Sequence, residues 1–301
     1  MDLRLKGKRA LVTGSTAGIG FSIAKLLASE GAFVYINGRT EERVKKAVAE
    51  IGGKVEGVAA DLTTEQGAEK LFARVEKLDI LVNNLGIFEV RPFLEIEDAE
   101  WRRYFEANVL SGVRMTRHYL PRMLERKWGR IIFISSESGL QIPAEMVHYG
   151  MTKTAQLAVA RGIAESFPAS GVTVNSVLPG PTGSEGVSTF VDGLAKQQGK
   201  TKEDVERDFF EHARPSSLIK RLRRPMRLPP WWFICAAKQP RQPPGRRFEW
   251  MEESSGRLHS LEFLGHGAAD VSQASQRASK LIRHLRRQQE SSRSRLLRGY
   301  R

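Results

Sequence analysis

The sequence predicts an α/β fold in which helices cover both faces of a doubly wound parallel sheet, in a single domain followed by a tail of different character. Three observations predict it. Short apolar runs rich in valine and isoleucine alternate with segments of helical periodicity through residues 1–222. A glycine-rich turn follows the first apolar run. The regular alternation ends near Leu222, where prolines and arginines accumulate.

Six apolar runs are predicted to be buried parallel strands, because they lack the alternation of a strand that has one face in water. The intervening segments place apolar residues at helical spacing, which predicts crossover helices between the strands. The six predicted strands are residues 9–13, 33–36, 55–59, 80–82, 130–135 and 172–177.

The turn after the first strand reads TGSTAGIG, which is a dinucleotide-binding fingerprint in the strand-to-helix context that it requires. Gly14 permits the tight turn, Gly18 leaves room for a pyrophosphate, and Gly20 lets the helix approach the strand. We therefore expect a Rossmann fold that binds a nicotinamide dinucleotide. The loop residues expected to contact it are Gly14, Ser15, Thr16, Gly18, Ile19 and Gly20.

The end of the second strand favours NADP(H) over NAD(H). Neutral residues stand where an acidic side chain would hold a ribose 2′-hydroxyl, and Arg39 follows at once. A guanidinium suits a 2′-phosphate. The ends of the third and fourth strands supply the further expected cofactor contacts Asp61, Leu62, Asn84 and Gly86.

A second group of residues suits proton transfer to a carbonyl oxygen. Tyr149 and Lys153 lie about one helical turn apart in YGMTK, and Ser136 ends a predicted strand upstream. A phenol with a pKa of ~10 is a poor catalyst at neutral pH, but a nearby ammonium favours its phenolate.

Residues 1–222 resemble the short-chain dehydrogenase/reductase family, with 3-oxoacyl-thioester reductases as the most similar activity class. The motifs that carry the resemblance occur in family order and are TGSTAGIG, NNLG, Asn108 in NVLSG, Ser136, Tyr149, Lys153 and NSVLPG. One departure is Leu85, where the family commonly has alanine; it is expected to tighten the floor of the cofactor site without removing a hydrogen bond.

The resemblance implies a role for each matching residue. Tyr149 would be the proton donor, and Lys153 would lower its pKa and hold the nicotinamide ribose. Ser136 would orient the substrate carbonyl, and Asn108 would support a water-mediated proton relay. The residues implied to line the nicotinamide are Pro179, Gly180 and Thr182.

The substrate is expected to be a small carbonyl compound or alcohol. Ser136, Tyr149 and Gln141 are the expected contacts, and the polar neighbours Glu137, Glu145 and His148 are close enough in sequence to join them. An NAD-dependent sugar or polyol dehydrogenase is the alternative.

Residues 223–301 differ sharply from the rest of the chain. They hold 17 of the 48 Lys and Arg residues but only 6 of the 34 Asp and Glu residues, so most of the net charge of +14 belongs to them. A real basic tail of this kind would favour a non-catalytic protein that senses nucleotide or binds nucleic acid. We expect neither, because the tail has the character of a shifted reading frame.

The codons of residues 249–253, EWMEE, support the shifted frame. They must read GAR TGG ATG GAR GAR, and an offset of two bases turns them into codons for Val or Met, Asp, Gly, and Gly or Arg. The resemblance implies a VDGG strand here, after a P(D/E)EVA helix that the same offset permits at residues 224–228. We therefore predict a catalytic domain at 1–222 that lacks its last helix and strand, and a disordered tail at 223–301. The missing segments would supply a seventh strand and an interface for a homodimer or homotetramer.

Other classes of protein are disfavoured by composition. No run of 18 apolar residues and no signal region occurs, so a membrane span or export is not expected. The single cysteine, Cys235, excludes an internal disulfide and a zinc site of several thiolates, and we expect no metal. The expected location is the cytoplasm.

Overall fold

The computed structural model contains the predicted doubly wound sheet. All neighbouring strands in its six-stranded sheet are parallel. The strands are β1 (Arg9–Val12), β2 (Phe33–Gly38), β3 (Val55–Ala59), β4 (Ile80–Asn83), β5 (Gly129–Ile134) and β6 (Val172–Val177). Their order across the sheet is β3-β2-β1-β4-β5-β6, so the direction of winding reverses beside β1. The structure describes residues 4–183, 185–214, 217, 220–222, 248–251 and 258–261.

Helices connect the strands, as the apolar periodicity predicts. The helices are α1 (Gly18–Ser29), α2 (Glu41–Ile51), α3 (Glu65–Arg74), α4 (Asp98–Phe105), α5 (Ser111–Glu125), α6 (Val147–Ser166), α7 (Glu185–Gln198) and α8 (Lys202–Asp208). Two π-helical turns, Glu106–Leu110 and Phe209–Ala213, follow α4 and α8.

Two separate apolar cores cover the two faces of the sheet. Ala10 and Val12 of β1 pack with α1 and α2 on one face, whereas Leu11 packs with α3 and α5 on the other. Successive side chains of a strand point to opposite faces, so this division requires helices on both sides. The prediction of a sheet covered on both faces is confirmed.

The two strands at one end of the sheet differ in burial. Every residue of β5 is buried, but only Val174 is buried in β6, which forms the edge of the six-stranded sheet. The site residues that follow β6 therefore depend on a less protected strand.

The tail boundary at Leu222 stays a prediction, because most of residues 223–301 lie outside the described residues. The described parts are β7 (Phe248–Met251) and β8 (Leu258–Leu261), which form a two-stranded sheet. By internal contacts the chain divides into one unit of Met1–Pro240 with Phe248–Ser260 and a second of Arg241–Arg247 with Leu261–Arg301. Within the described residues, no helix has both the length and the apolar character to cross a membrane.

Candidate active site

The glycine loop between β1 and α1 depends on glycine at two positions in particular. Gly14 has φ +58°, and a Cβ there would lie 3.1 Å from the Cα of Leu85. A Cβ at Gly20 would lie 2.7 Å from the carbonyl oxygen of Gly14 and would also collide with the side chain of Asn84. The third glycine keeps the helix close to the turn, as the sequence predicts, and it also makes room for the Asn84 amide.

The N-terminus of α1 has free capacity for an anion. Its N-cap residue is Ala17, which provides no side-chain hydrogen bond, and no acidic residue occupies the first turn. Helices α2 and α3 are instead capped by the side chains of Thr40 and Thr64. An uncapped helix start leaves backbone N–H groups and a positive dipole end to a phosphate. The loop therefore fits the pyrophosphate of a dinucleotide.

Asn84 fastens the loop after β4 to the glycine loop. Its Nδ2 donates to the carbonyl oxygens of Thr13 and Gly14, both at 2.9 Å. The Thr13 hydroxyl accepts in turn from the backbone N–H groups of Asn84 at 2.9 Å and Leu85 at 3.0 Å. Leu85 takes part in this network only through its backbone N–H, so a leucine side chain at this position removes none of these hydrogen bonds.

Ser15 holds the loop from inside the protein. Its hydroxyl donates to the Val12 carbonyl at 2.6 Å and accepts from the Asn37 N–H at 3.0 Å. The side chain is fully buried. Ile19 likewise packs against the core, so these two predicted cofactor residues support the loop with their side chains. Thr16 is half-buried beside Gly38.

The predicted 2′-phosphate end of the crevice is exposed. Arg39 follows β2 directly, lies in solvent and forms no ion pair with any residue that the structure describes. Asp61 is half-buried and accepts from the Thr63 N–H at 3.0 Å and hydroxyl at 2.8 Å. The Leu62 side chain is buried in the core.

The predicted catalytic residues converge where β5 ends against α6. Ser136 follows β5 and is buried, and its hydroxyl accepts from the Ser138 N–H at 3.1 Å. The Lys153 Nζ donates to the Ile134 carbonyl at 3.0 Å and lies 5.5 Å from the centroid of the Tyr149 ring. The three side chains thus form one cluster at the carboxyl end of the sheet.

Burial dominates the protonation of this cluster. It raises the pKa of Tyr149 to about 12, against the opposing effect of a hydrogen bond with Ser136. It lowers the pKa of Lys153 to about 7. The sequence predicts that a lysine ammonium lowers the tyrosine pKa, but Lys153 is itself only partly charged near neutral pH. In the chain without cofactor, the loss of solvation therefore has a larger effect on the pKa of Tyr149 than the expected attraction of Lys153.

Asn108 joins the cofactor crevice to the catalytic helix. It lies in the π-helical turn, where its Oδ1 accepts from the Ile87 N–H at 2.7 Å. Its Nδ2 donates to the Ile87 carbonyl at 3.0 Å and to the Thr152 hydroxyl at 2.9 Å. A Cβ at Gly86 would lie 3.4 Å from both Asn108 Oδ1 and Lys153 Nζ. The side-chain amide and the backbone carbonyl, which accepts from Gln156 Nε2 at 2.5 Å, are thus both hydrogen-bonded within the protein.

An ion pair closes the site from the side of the segment after α8. The Arg214 Nε lies 3.0 Å from Glu137 Oε1, and its Nη1 lies 3.8 Å from Glu145. The side chains of Arg214 and Glu137 are only 14% and 9% exposed. The Glu137 backbone donates to the Pro179 carbonyl at 3.1 Å, which brings the loop after β6 to the catalytic strand.

The remaining predicted residues take different positions. A Cβ at Gly180 would lie 3.3 Å from Glu137 Oε2, and Thr182 is buried with its hydroxyl on the Gly180 carbonyl at 2.9 Å. Gln141 is exposed. His148 is fully buried against the Tyr104 ring, at 4.1 Å between centroids, so its side chain packs into the protein interior.

Two residues of the site are not among the sequence-derived candidates. Arg214 lies in a segment without a motif, and no sequence signal marks it. Gln156 is different, because a polar residue within the apolar run TAQLAVA, three positions after Lys153, shares the helical face of that lysine. That pattern could have identified it.

Comparison with known proteins agrees with the geometry. A family model described as short chain dehydrogenase matches residues 8–194. The uncharacterized oxidoreductase YvaG of Bacillus subtilis (strain 168) is 50% identical over 230 residues, which cover 75% of this chain and 87% of that protein. The 3-oxoacyl-acyl-carrier-protein reductase FabG of Aquifex aeolicus is 37% identical over 188 residues, which cover 60% of this chain and 76% of that protein.

A solved structure extends the similarity to three dimensions. L-Sorbose reductase from Gluconobacter frateurii, complexed with NADPH and L-sorbose, superposes with a TM-score of 0.74 at 28% identity. The match covers 79% of this chain and 92% of that chain.

Proposed function

Because this chain belongs to the short-chain dehydrogenase family, we propose that it interconverts a ketone and a secondary alcohol with NADP(H) as cofactor and Tyr149 as the acid/base. Family membership makes it an oxidoreductase that acts on CH–OH groups with NAD(P). The observation that carries the finer proposal is the cluster of Ser136, Tyr149 and Lys153 beside Gly86, one loop away from the glycine turn.

Each side chain of the cluster has a distinct task in the proposal. The Tyr149 hydroxyl gives its proton to the carbonyl oxygen during reduction and takes it back during oxidation. Ser136, which hydrogen-bonds with Tyr149, orients that oxygen. Lys153, held on the Ile134 carbonyl, stabilises the phenolate left behind. Bound NADP(H) would supply or accept the hydride at the carbonyl carbon.

The preference for NADP(H) rests on Arg39. An exposed guanidinium with no described ion-pair partner is available to a 2′-phosphate, and no carboxylate stands at the end of β2 to repel it. L-Sorbose reductase, which is similar in structure, is described in complex with NADPH.

The direct test is turnover with a panel of ketones, using NADPH and NADH in parallel. We expect NADPH oxidation with at least one ketone, and tighter binding of NADPH than of NADH by fluorescence titration. A purified, folded chain that binds neither nucleotide would contradict the proposal.

A second candidate function is the reduction of sugars or oxidation of polyols. The Glu137–Arg214 pair favours it, because both charges act on Tyr149 and are therefore near the reacting group. Buried charged groups make strong hydrogen bonds to hydroxyls, whereas an aliphatic acyl chain offers them no partner. A hydroxylated ketone would therefore suit this wall of the site better than a 3-oxoacyl thioester.

Substrate profiles of two variants separate the two candidates. A polyol or ketose activity should fall at least ~10-fold in Glu137→Gln, because hydrogen bonds to charged groups contribute about 1.5–3 kcal/mol. Glu165→Gln, an exposed carboxylate on the same helix as Tyr149, is the matched control and should change nothing. Exclusive activity on 3-oxoacyl thioesters, unaffected by Glu137→Gln, would remove the second candidate.

A further inference from the structure

A buried amide connects two residues of the catalytic cluster. Gln156 is 2% exposed, its Oε1 accepts from Lys153 Nζ at 3.3 Å, and its Nε2 donates to the Asn108 carbonyl at 2.5 Å. We propose that Gln156 is a positioning residue that orients the Lys153 amine toward the reacting group and occupies the backbone carbonyl of Asn108. This inference rests on the proposed function of Tyr149 and Lys153.

Helical geometry places Gln156 in this role. Tyr149, Lys153 and Gln156 are spaced four and three residues apart on α6, so they share one face of the helix. That face meets the π-helical turn that contains Asn108, and a side chain shorter than glutamine would not span from Lys153 to the turn. The helix therefore carries both the reacting phenol and the group that fixes its neighbour.

The hydrogen-bond inventory of Lys153 shows what Gln156 determines. A lysine amine in its charged form has three N–H donors. One goes to the Ile134 carbonyl and a second to Gln156 Oε1, and no other acceptor contacts Nζ among the described residues. The third donor is then fixed in direction, toward the crevice lined by Gly86 and Tyr149. Without Gln156, only one contact would define the orientation of the amine.

The second hydrogen bond of Gln156 occupies the backbone carbonyl of Asn108. The resemblance implies a water-mediated relay at Asn108, and its side-chain amide is already bonded to Ile87 and Thr152. Its carbonyl is taken by Gln156 Nε2. A carboxamide holds a proton donor in place but does not exchange protons at neutral pH as water does. In the described geometry, this carbonyl is thus a fixed anchor for Gln156.

The neutrality of Gln156 matters for Lys153. The groups around the amine are the Ile134 carbonyl, the Gln156 amide, the Asn108 turn and the Tyr149 phenol, of which only the phenol titrates. Burial, with no opposing carboxylate, keeps the pKa of Lys153 near 7. A carboxylate at position 156 would favour the charged amine and raise that pKa.

The test compares Gln156→Glu and Gln156→Met in the nucleotide-free chain, so that it does not depend on turnover. The ¹³Cε NMR signal of Lys153, assigned by its loss in Lys153→Arg, is followed against pH. We expect Gln156→Glu to raise the titration midpoint of Lys153 by at least about one pH unit, since one unit corresponds to ~1.4 kcal/mol. Gln156→Met keeps the side-chain length without an acceptor and should lower the midpoint.

Kinetics supply the second measurement. The pH profile of kcat/KM should shift to higher pH in Gln156→Glu. In Gln156→Met, kcat should fall about 10-fold, and KM for NADPH should change less. Thr154→Val is the matched control, because it removes a hydrogen bond of α6 to the Gly139 carbonyl without removing either hydrogen bond of the Lys153 amine. It should leave the midpoint unchanged.

The two measurements distinguish a failure of the proposed role of Gln156 from a failure of the proposed function. An unchanged Lys153 midpoint in both folded variants would overturn the role of Gln156, whatever the activity. A shifted midpoint in a chain without any ketone reduction would support the role of Gln156 and count against the proposed function. If Gln156→Glu does not fold, the midpoint and kcat of Gln156→Met decide alone.

Discussion

Strands β5 and β6 lead into the same site from very different surroundings. All of β5 is buried between two packed layers, and its end supplies Ser136 and the carbonyl that holds Lys153. β6 lies at the edge of the six-stranded sheet with only Val174 buried, and its end leads to Pro179 and Gly180. The half of the site around Ser136 and Lys153 is therefore fixed by internal contacts, whereas the half expected to line the nicotinamide follows a half-buried strand that the tail strand β7 contacts.

The contrast indicates where the predicted frame change should act. The predicted frame change removes the segments that would follow Leu222 in the family, including a strand expected beside β6. In the chain as it stands, the tail strand β7 contacts β6, so the reading frame of the tail decides which segment lies against this edge strand. Restoring the frame should therefore change β6 and its loop far more than β5.

The largest effect is expected from this restoration. A chain translated in the alternative frame after Leu222 would cover several hundred Å² of apolar surface, which at roughly 25 cal/mol per Å² amounts to ~10 kcal/mol. We expect a cooperative thermal transition at a temperature higher by 10 °C or more, and a tetramer or dimer in sedimentation. Calorimetry of both forms, with and without NADPH, measures it.

Sequencing the gene across the Leu222 codon is the control for that comparison. A gene without a frame change, together with a cooperative and NADPH-stabilised transition of the 301-residue chain, would contradict the frame hypothesis. The basic tail would then be a genuine part of the protein.

On the β5 side, the largest effect should come from Tyr149→Phe. Removing the hydroxyl that is proposed to transfer the proton should reduce kcat by ~10³-fold, within the range typical of acid/base groups. NADPH affinity should stay within about twofold, since the ring remains. Tyr104→Phe is the matched control: its hydroxyl is buried without a hydrogen-bond partner in the described structure, so its loss should not reduce activity.

Arg39 provides a reference outside both strands. Arg39→Asp should shift the ratio of kcat/KM for NADPH over NADH by roughly 10- to 100-fold toward NADH, because it would replace the proposed partner of the 2′-phosphate with an acceptor for a 2′-hydroxyl. The side chain is exposed, so the melting temperature should change little. An unchanged coenzyme ratio would refute the assigned role.

The sequence predicts the sheet well because burial leaves a local record. Each of the six strands begins and ends within two residues of its predicted bounds. A run such as IIFI is apolar because it lies between two layers of helices. The glycine loop is equally readable, because Gly14 has a positive φ and a Cβ at Gly20 would collide with its neighbours.

Contacts between distant segments are not recorded in this way. Glu137 and Arg214 are 77 residues apart, and no periodicity links them. The pKa of Tyr149 also depends on burial that depends on the whole fold, so the expected effect of Lys153 could not be weighed from spacing alone. Ser15 and Asn108 match motifs, but their side chains form hydrogen bonds within the protein. A sequence motif does not distinguish such bonds from contacts with a ligand.

The last effect is on stability, and it comes from the buried amine of Lys153, which lies at the end of β5. Its pKa of about 7 lies below the ordinary lysine value near 10.5, so between these pH values the unfolded chain binds more protons at Lys153 than the folded chain. The contribution of Lys153 to stability therefore rises with pH through this window. Below about pH 7 both states are protonated and the burial penalty is present in full; above ~10.5 both are neutral and it is gone.

Lys153→Met should accordingly stabilise the chain at pH 7, by roughly 2–4 °C in melting temperature for each kcal/mol of burial penalty that it removes. The difference between variant and parent should shrink steadily as pH rises toward 10. Lys25→Met, at an exposed position of α1, should show no such pH dependence. A constant difference across pH would mean that the methionine acts only by packing, and that the amine at the end of β5 is charged in the folded chain at every pH tested.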